Sequence, residues 1–184
     1  MARGRPSKKG LIATAASSLF RVSGYQGTSI DQVVATAEVS KPTVYSNFPS
    51  KLLLWQEVLR LLISASDTEL HTLRESLAAS GSSFTEGWIR LWHAWADNPD
   101  RIAAYRIHWG EAHKLTEDEQ LLFKGLEEVL IQHLSHWMNQ HQIPEVLFPQ
   151  LMALSREACL ISKLAEPCYS HPDLTLQIEQ CIAP

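Results

Sequence analysis

Lys41, Thr43, Tyr45, Ser46 and Asn47 stand within seven residues of one another, with no Asp or Glu among them. Each of these side chains can donate a hydrogen bond, and Lys41 adds a positive charge. The set suits a polyanion better than bond-breaking chemistry. Lys can pair with guanine, Asn can read adenine and the Thr methyl can meet that of thymine. Ser, Thr and Tyr hydroxyls more often hold phosphates. No competing chemistry is written elsewhere in the chain. There is no Gly-x-Ser-x-Gly, phosphate loop, metalloprotease pair or acid/base constellation, so neither a catalytic residue nor a cofactor is expected. His133 and His136 are spaced to share a helix face, but His141 lies off it and no Cys or carboxylate completes a ligand set, so no metal is expected.

Those five residues need a scaffold. Ser40 caps a short helix that tolerates Pro42 in its first turn and ends near Asn47-Phe48, because Pro49 follows. Two turns of helix are too short to stand alone in water, so Val44 and Phe48 must pack on neighbours. A preceding helix begins at Ser29, which forms a capping-box spacing with Gln32, and turns Ile30, Val33, Val34 and Ala37 inward. Glu38-Val39 joins the two. Two short helices across a tight turn, the second basic and polar, are the parts of a helix-turn-helix, whose second helix enters the major groove. Upstream, Leu11, Ile12, Ala15, Ala16, Leu19 and Phe20 form a helical stripe between a Ser7 cap and a Gly24 stop. Downstream, Ser50 opens a fourth helix through Leu52, Leu53, Trp55, Val58, Leu59 and Leu62.

Charge is divided in the same way. Residues 1–51 carry a net charge of +5 and residues 52–184 a net charge of −9. A basic head on an acidic body implies a polyanion partner for the head alone. With 45% hydrophobic and 20% charged residues the chain reads as globular. No apolar run approaches a membrane span, and the basic N-terminus lacks the apolar core and cleavage site of a signal peptide, so the cytoplasm is expected. Cys159, Cys168 and Cys181 form no Cys-x-x-Cys pair and read as packing or near-surface thiols.

Helical spacing continues to the end of the chain, and no alternating β pattern recurs, so the fold class is all-α. Ala79–Ser83 reads as a loop, and helices are expected over 84–97, 100–113, 117–141 and 145–166, with a looser tail after Pro167. Trp88, Trp92 and Trp95 fall on one helix face. With His93, Tyr105 or His108 as polar anchors, and Trp109 nearby, they could line a pocket for an apolar or aromatic ligand. Tryptophan stripes equally build plain cores.

Gly24-Tyr25-Gln26-Gly27-Thr28-Ser29-Ile30, followed by Val39-Ser40-Lys41-Pro42-Thr43-Val44-Tyr45-Ser46-Asn47-Phe48-Pro49-Ser50-Lys51, resembles the signature of the tetracycline-repressor (TetR) family across residues 8–58. Two positions depart from its commonest form. Glu38 stands where a glycine often makes the turn, and Pro42 where glycine is frequent. The resemblance implies a three-helix DNA-binding domain over residues 1–51 and a helical ligand-binding and dimerisation domain over 52–184. It further implies that Thr28, Ser40, Tyr45 and Lys51 grip phosphates, that Lys41, Pro42, Thr43 and Asn47 approach the bases, and that Ser29 belongs to the same DNA-facing set. Tyr25 and Phe48 are expected to pack. Arg3-Gly4-Arg5-Pro6 resembles an AT-hook core, placing Arg3 and Arg5 in an A·T-rich minor groove. Segments 117–141 and 145–166 would pair with those of a second copy, Ala158 and Ala165 allowing close approach. The function implied is a homodimeric regulator on a palindromic double-stranded DNA operator, in its commonest form a repressor released by a small apolar or aromatic effector. The alternative is a DNA-binding regulator without such a ligand, controlled by abundance or a protein partner.

Overall fold

Each helix of the N-terminal region starts where a hydroxyl can accept a backbone N–H. In the computed structural model, which describes residues 7–165 and 173–183, Ser7 accepts from Gly10 at the start of α1 (Lys8–Gly27). Ser29 and Gln32 form a reciprocal capping box on α2 (Ile30–Ala37), and Ser40 caps α3 (Lys41–Asn47). Gly24 sits at φ 69°, a left-handed conformation that costs glycine little, and kinks α1 before its last residues. The longer helices follow as α4 (Lys51–Ala79), α5 (Phe84–Ala96), α6 (Pro99–Glu111) and α7 (Glu117–Gln140). Then come α8 (Phe148–Ser155), a π-helical stretch Arg156–Ile161, the short α9 (Ser162–Leu164) and α10 (Leu174–Ile182). No strand occurs among the described residues.

Contacts divide the chain into two units, Met1–Leu62 with Ala103–Lys124, and Ile63–Ile102 with Gly125–Pro184. The first unit buries Ile12, Ala16, Phe20, Val33, Val44, Phe48, Leu54, Trp55 and Leu59. Phe20 meets the Trp55 ring edge-to-face at 5.1 Å, and Tyr105 meets Phe123 in the same way at 5.1 Å. Burial of Val44 and Phe48, at about 1.5–3 kcal/mol for each side chain, is what holds a seven-residue helix in place.

In the second unit Trp88, Leu91, Trp92, Trp95, Leu130, Leu134, Trp137, Leu151 and Ile178 are buried. Gly87 lets the Trp137 indole lie directly on α5, where its Nε1 donates to the Phe84 carbonyl at 3.0 Å. Arg101 is wholly buried and fully engaged. Its Nε donates to Ser66 Oγ at 2.8 Å and its Nη1 to the carbonyls of Ala94 at 2.8 Å and Trp95 at 3.3 Å, so it satisfies the C-terminal end of α5. It also pairs with Glu69 and lies 4.7 Å from the Trp95 ring centre.

The helix boundaries expected from spacing lie within a few residues of those observed through α7. The tail differs. Beyond Pro167 the chain forms α10, because the Asp173 carboxylate accepts the Thr175 N–H and Ile178 is buried. The expected 145–166 helix is broken into α8, the π-helical stretch and α9.

Candidate nucleic-acid interface

The turn between α2 and α3 is made by Glu38, at φ 53° and ψ 42°, a left-handed conformation usually left to glycine. Its N–H bonds back to the Ala35 carbonyl, and Val39 N–H reaches that of Val34. The chain is thereby directed into the Ser40 cap, whose Oγ takes the Thr43 N–H at 3.3 Å and lies 2.8 Å from Thr43 Oγ1. From there α3 divides cleanly. Val44 and Phe48 point inward, while Lys41, Pro42, Tyr45 and Ser46 are exposed and Thr43 and Asn47 half-exposed. One helix face is an anchor and the other offers donors to solvent.

Several of the expected DNA-facing residues have partners within the protein. Lys41 Nζ lies 2.8 Å from Asp31 Oδ1, across from the first turn of α2. This hydrogen bond raises the lysine pKa, so the ammonium is charged at any working pH. Asn47 Nδ2 donates to the Thr43 carbonyl at 2.8 Å, and Ser46 Oγ to the same carbonyl at 3.0 Å. Thr28 is only 1% exposed, and its hydroxyl donates to the Gly24 carbonyl at 2.8 Å. Lys51 Nζ turns toward α1, donating to the carbonyls of Tyr25 at 2.9 Å and Thr28 at 3.0 Å, with the Tyr25 ring centre 4.5 Å away. Ser29 and Ser40 remain exposed at their caps. Arg3 and Arg5 lie outside the described residues.

Tyr25 packs as expected, stacked on Phe20 at 5.8 Å and tilted against Trp55 at 6.3 Å. Burial, reinforced by Glu119 and Glu111, raises its phenol pKa, keeping it a neutral hydroxyl. Sequence reasoning passed over Asp31 and Lys9. Lys9 pairs with Glu57 at 2.7 Å and lies 5.7 Å from the Phe48 ring centre, bracing the C-terminal end of α3 from α1. The signal for Asp31 was present, since it and Glu38 are the two acids of the basic head.

The aromatic residues considered for a ligand pocket fall in both units. Trp88, Trp92 and Trp95 are wholly buried in the second unit, whereas Tyr105, His108 and Trp109 belong to the first. Trp88 Nε1 donates to Ser155 Oγ at 2.8 Å, while Trp92 Nε1 is buried and has no acceptor among the described residues. Tyr105 is buried against the Trp109 and Phe123 rings, His108 stacks on Phe123 at 3.8 Å, and Trp109 is 43% exposed. Cys159 is buried, and that burial pushes its thiol up to about 11, so it is an unreactive packing group. Cys181 is part-exposed, and Cys168 lies outside the described residues. Among the described residues no helix is long and apolar enough to cross a membrane.

This arrangement can be set beside known proteins. Residues 12–58 match the model of the bacterial regulatory proteins of the tetR family. The HTH-type transcriptional activator FasR of Mycolicibacterium smegmatis is 39% identical over 56 residues, which cover 30% of this chain and 26% of that protein. The matched segment therefore spans about a quarter of that relative. Over nearly the full length the fold is similar to that of a transcriptional regulator of Saccharomonospora viridis solved in complex with choline. The TM-score is 0.71 at 17% identity, covering 94% of this chain and 93% of the other. A TetR-family regulator of Mesorhizobium loti gives a TM-score of 0.66 at 18% identity, covering 95% and 93%. The matched N-terminal segment holds the capped α2, the left-handed turn and the two-faced α3, so over residues 12–58 the chain is similar to the bacterial regulatory proteins of the tetR family, and over nearly its whole length it shares the fold of the solved regulators.

Proposed function

We propose that this chain is a homodimeric, sequence-specific DNA-binding transcription regulator, with residues 1–51 as its DNA-binding head and residues 52–184 as its dimerisation and effector body. The observation that carries this reading is the division of α3. Val44 and Phe48 lock it to the head, leaving Lys41, Pro42, Tyr45 and Ser46 outward on the helix that would enter a major groove. Ser29, Ser40 and Tyr45 hold phosphates in this reading, and Lys41, Pro42 and Thr43 face base edges. Asn47 joins them by releasing the Thr43 carbonyl. Thr28 and Lys51 act mainly by fixing the geometry of the head, and Arg3 and Arg5 reach the adjacent minor groove.

Support for the dimer comes from Leu154, Ala158, Ile161 and Leu164, an apolar stripe left half-exposed in the single chain. Two copies would set paired α3 helices on half-sites of a palindromic operator, about 34–36 Å apart. Bound at such a site the protein acts as a repressor, released when a small apolar or aromatic effector favours a dimer geometry that separates the half-sites from the helices. The buried Trp92 indole N–H supports an effector that brings an acceptor to the tryptophan face. A second reading, regulation without a small molecule, is favoured by the complete burial of Trp88, Trp92 and Trp95.

Selection from a random DNA pool tests the DNA-binding reading. Wild type is expected to enrich a palindrome of two equivalent half-sites, and Tyr45→Ala to lose it. Equal, sequence-independent binding by both proteins would reject the regulator. A thermal-shift screen of small aromatic and apolar compounds, followed by operator-release assays, separates the two forms of control.

A further inference from the structure

Asp31 is the second residue of α2 and Lys41 the first of α3, and their side chains meet at 2.8 Å with 73% and 52% of their surfaces exposed. An ion pair this open contributes little to folding. Its carboxylate also stands at the end of α3 that would enter the groove, where phosphates repel it. The ammonium can only donate and the carboxylate can only accept, so the pair presents a donor and an acceptor side by side. In a G·C pair, guanine O6 and cytosine N4 are hydrogen-bonded to each other and therefore about 2.9 Å apart. They show the groove an acceptor beside a donor, the complement of the protein pair at nearly the same spacing.

We infer that Asp31 and Lys41 act together as a base-pair reader, specific for a G·C pair whose guanine meets Lys41 and whose cytosine meets Asp31. Guanine offers the ammonium both O6 and N7. A T·A pair with thymine at Lys41 offers the ammonium only O4, beside the C5-methyl group, and the opposite A·T orientation offers N7 but sets the adenine N6 donor against it. The reversed C·G pair sets donor against donor and acceptor against acceptor, and is rejected. The inference rests on the groove-reading role proposed above for α3, and it makes Asp31 a specificity-determining residue.

The test is random-pool selection with the full chain as wild type, Asp31→Ala, Asp31→Asn and Lys41→Gln, each variant first checked by circular-dichroism melting. Wild type is expected to enrich one G·C position in each half-site. Asp31→Ala should reduce that preference roughly five- to hundredfold and leave the other positions as they were. Asp31→Asn should move the preference at the cytosine toward adenine, which the Asn amide can pair with through N6 and N7. This gain is one that a structural role would not produce, and it carries the test if Asp31→Ala fails to fold. Tighter binding of Asp31→Ala to every sequence, with preferences unchanged, would show that the carboxylate only repels DNA and would overturn the inference. So would an Asp31→Asn profile identical to wild type. If wild type itself enriches no motif, the groove-reading role fails and this inference with it. If wild type does and the Asp31 variants match it, the reader alone is rejected.

Discussion

Replacing Lys51 with Met keeps the apolar stem and removes the ammonium, which distinguishes an internal anchor from a phosphate ligand. In the structure Nζ donates to two carbonyls, at 2.9 and 3.0 Å, and lies 4.5 Å from the Tyr25 ring centre. Hydrogen bonds to charged groups contribute about 1.5–3 kcal/mol each. Lys51 is only half-buried, so roughly 1 kcal/mol each is the fairer figure, with about 0.5 kcal/mol from the ring. The sum is about 2.5 kcal/mol, which for a chain of 184 residues lowers Tm by about 5–10 °C. The assay is thermal melting of wild type and Lys51→Met, with operator affinity measured across a series of salt concentrations. An anchor loses Tm and keeps the salt slope of the protein that remains folded. A phosphate contact does the reverse, flattening the slope of log K against log salt by about 0.9. An unchanged Tm with a flattened slope would refute the anchoring argument.

Gly87→Ala should lower Tm although it replaces the poorer helix former. Alanine gains about 1 kcal/mol of helix propensity, but its methyl would overlap the buried Trp137 indole. Overpacking of about 1–3 kcal/mol and loss of the indole bond to the Phe84 carbonyl outweigh that gain, and Tm falls by about 4 °C or more in calorimetry. Glu38→Gly relieves a side chain held at φ 53° and should raise Tm by about 2–4 °C, while tightening nonspecific DNA binding by removing a negative charge beside α3. Stability should also depend on His133. Arg74 Nη1, at 3.1 Å, obliges His133 Nδ1 to accept, so Nε2–H donates to Asp67 at 3.0 Å and the ring is neutral in the fold. Burial lowers its pKa first, and Arg74 and His71 add to this against the opposing pull of Asp67. A depressed histidine pKa gives stability that is complete above the unfolded value of about 6.5 and declines as pH falls below it toward the folded value. Melting at about pH 7.5 and pH 5.5 should show the loss, and His133→Gln should lessen it.

Sequence alone determined where most helices begin. Ser7, Ser29, Ser40 and Ser83 each accept a backbone N–H three residues on, an interaction complete within one turn of chain. The same holds for the inward faces of α2 and α3, because helical period and the apolar residues Val33, Val44 and Phe48 are local facts of order. The short α10 was illegible because its only buried residue, Ile178, finds its cover in other parts of the chain. The residues proposed to face DNA could be named from the sequence as a list and not as an arrangement. Lys51 anchors to carbonyls 26 and 23 residues away, Lys41 meets Asp31 across the turn, and Thr28 is withdrawn from solvent. The tryptophan stripe likewise has one period whether it lines a pocket or fills a core. Tertiary structure decided the partners of Lys51 and Lys41, since a long side chain on one helix face can serve either solvent or a neighbouring helix. Which of the two it serves depends on where the neighbour's unsatisfied carbonyls and carboxylates come to rest.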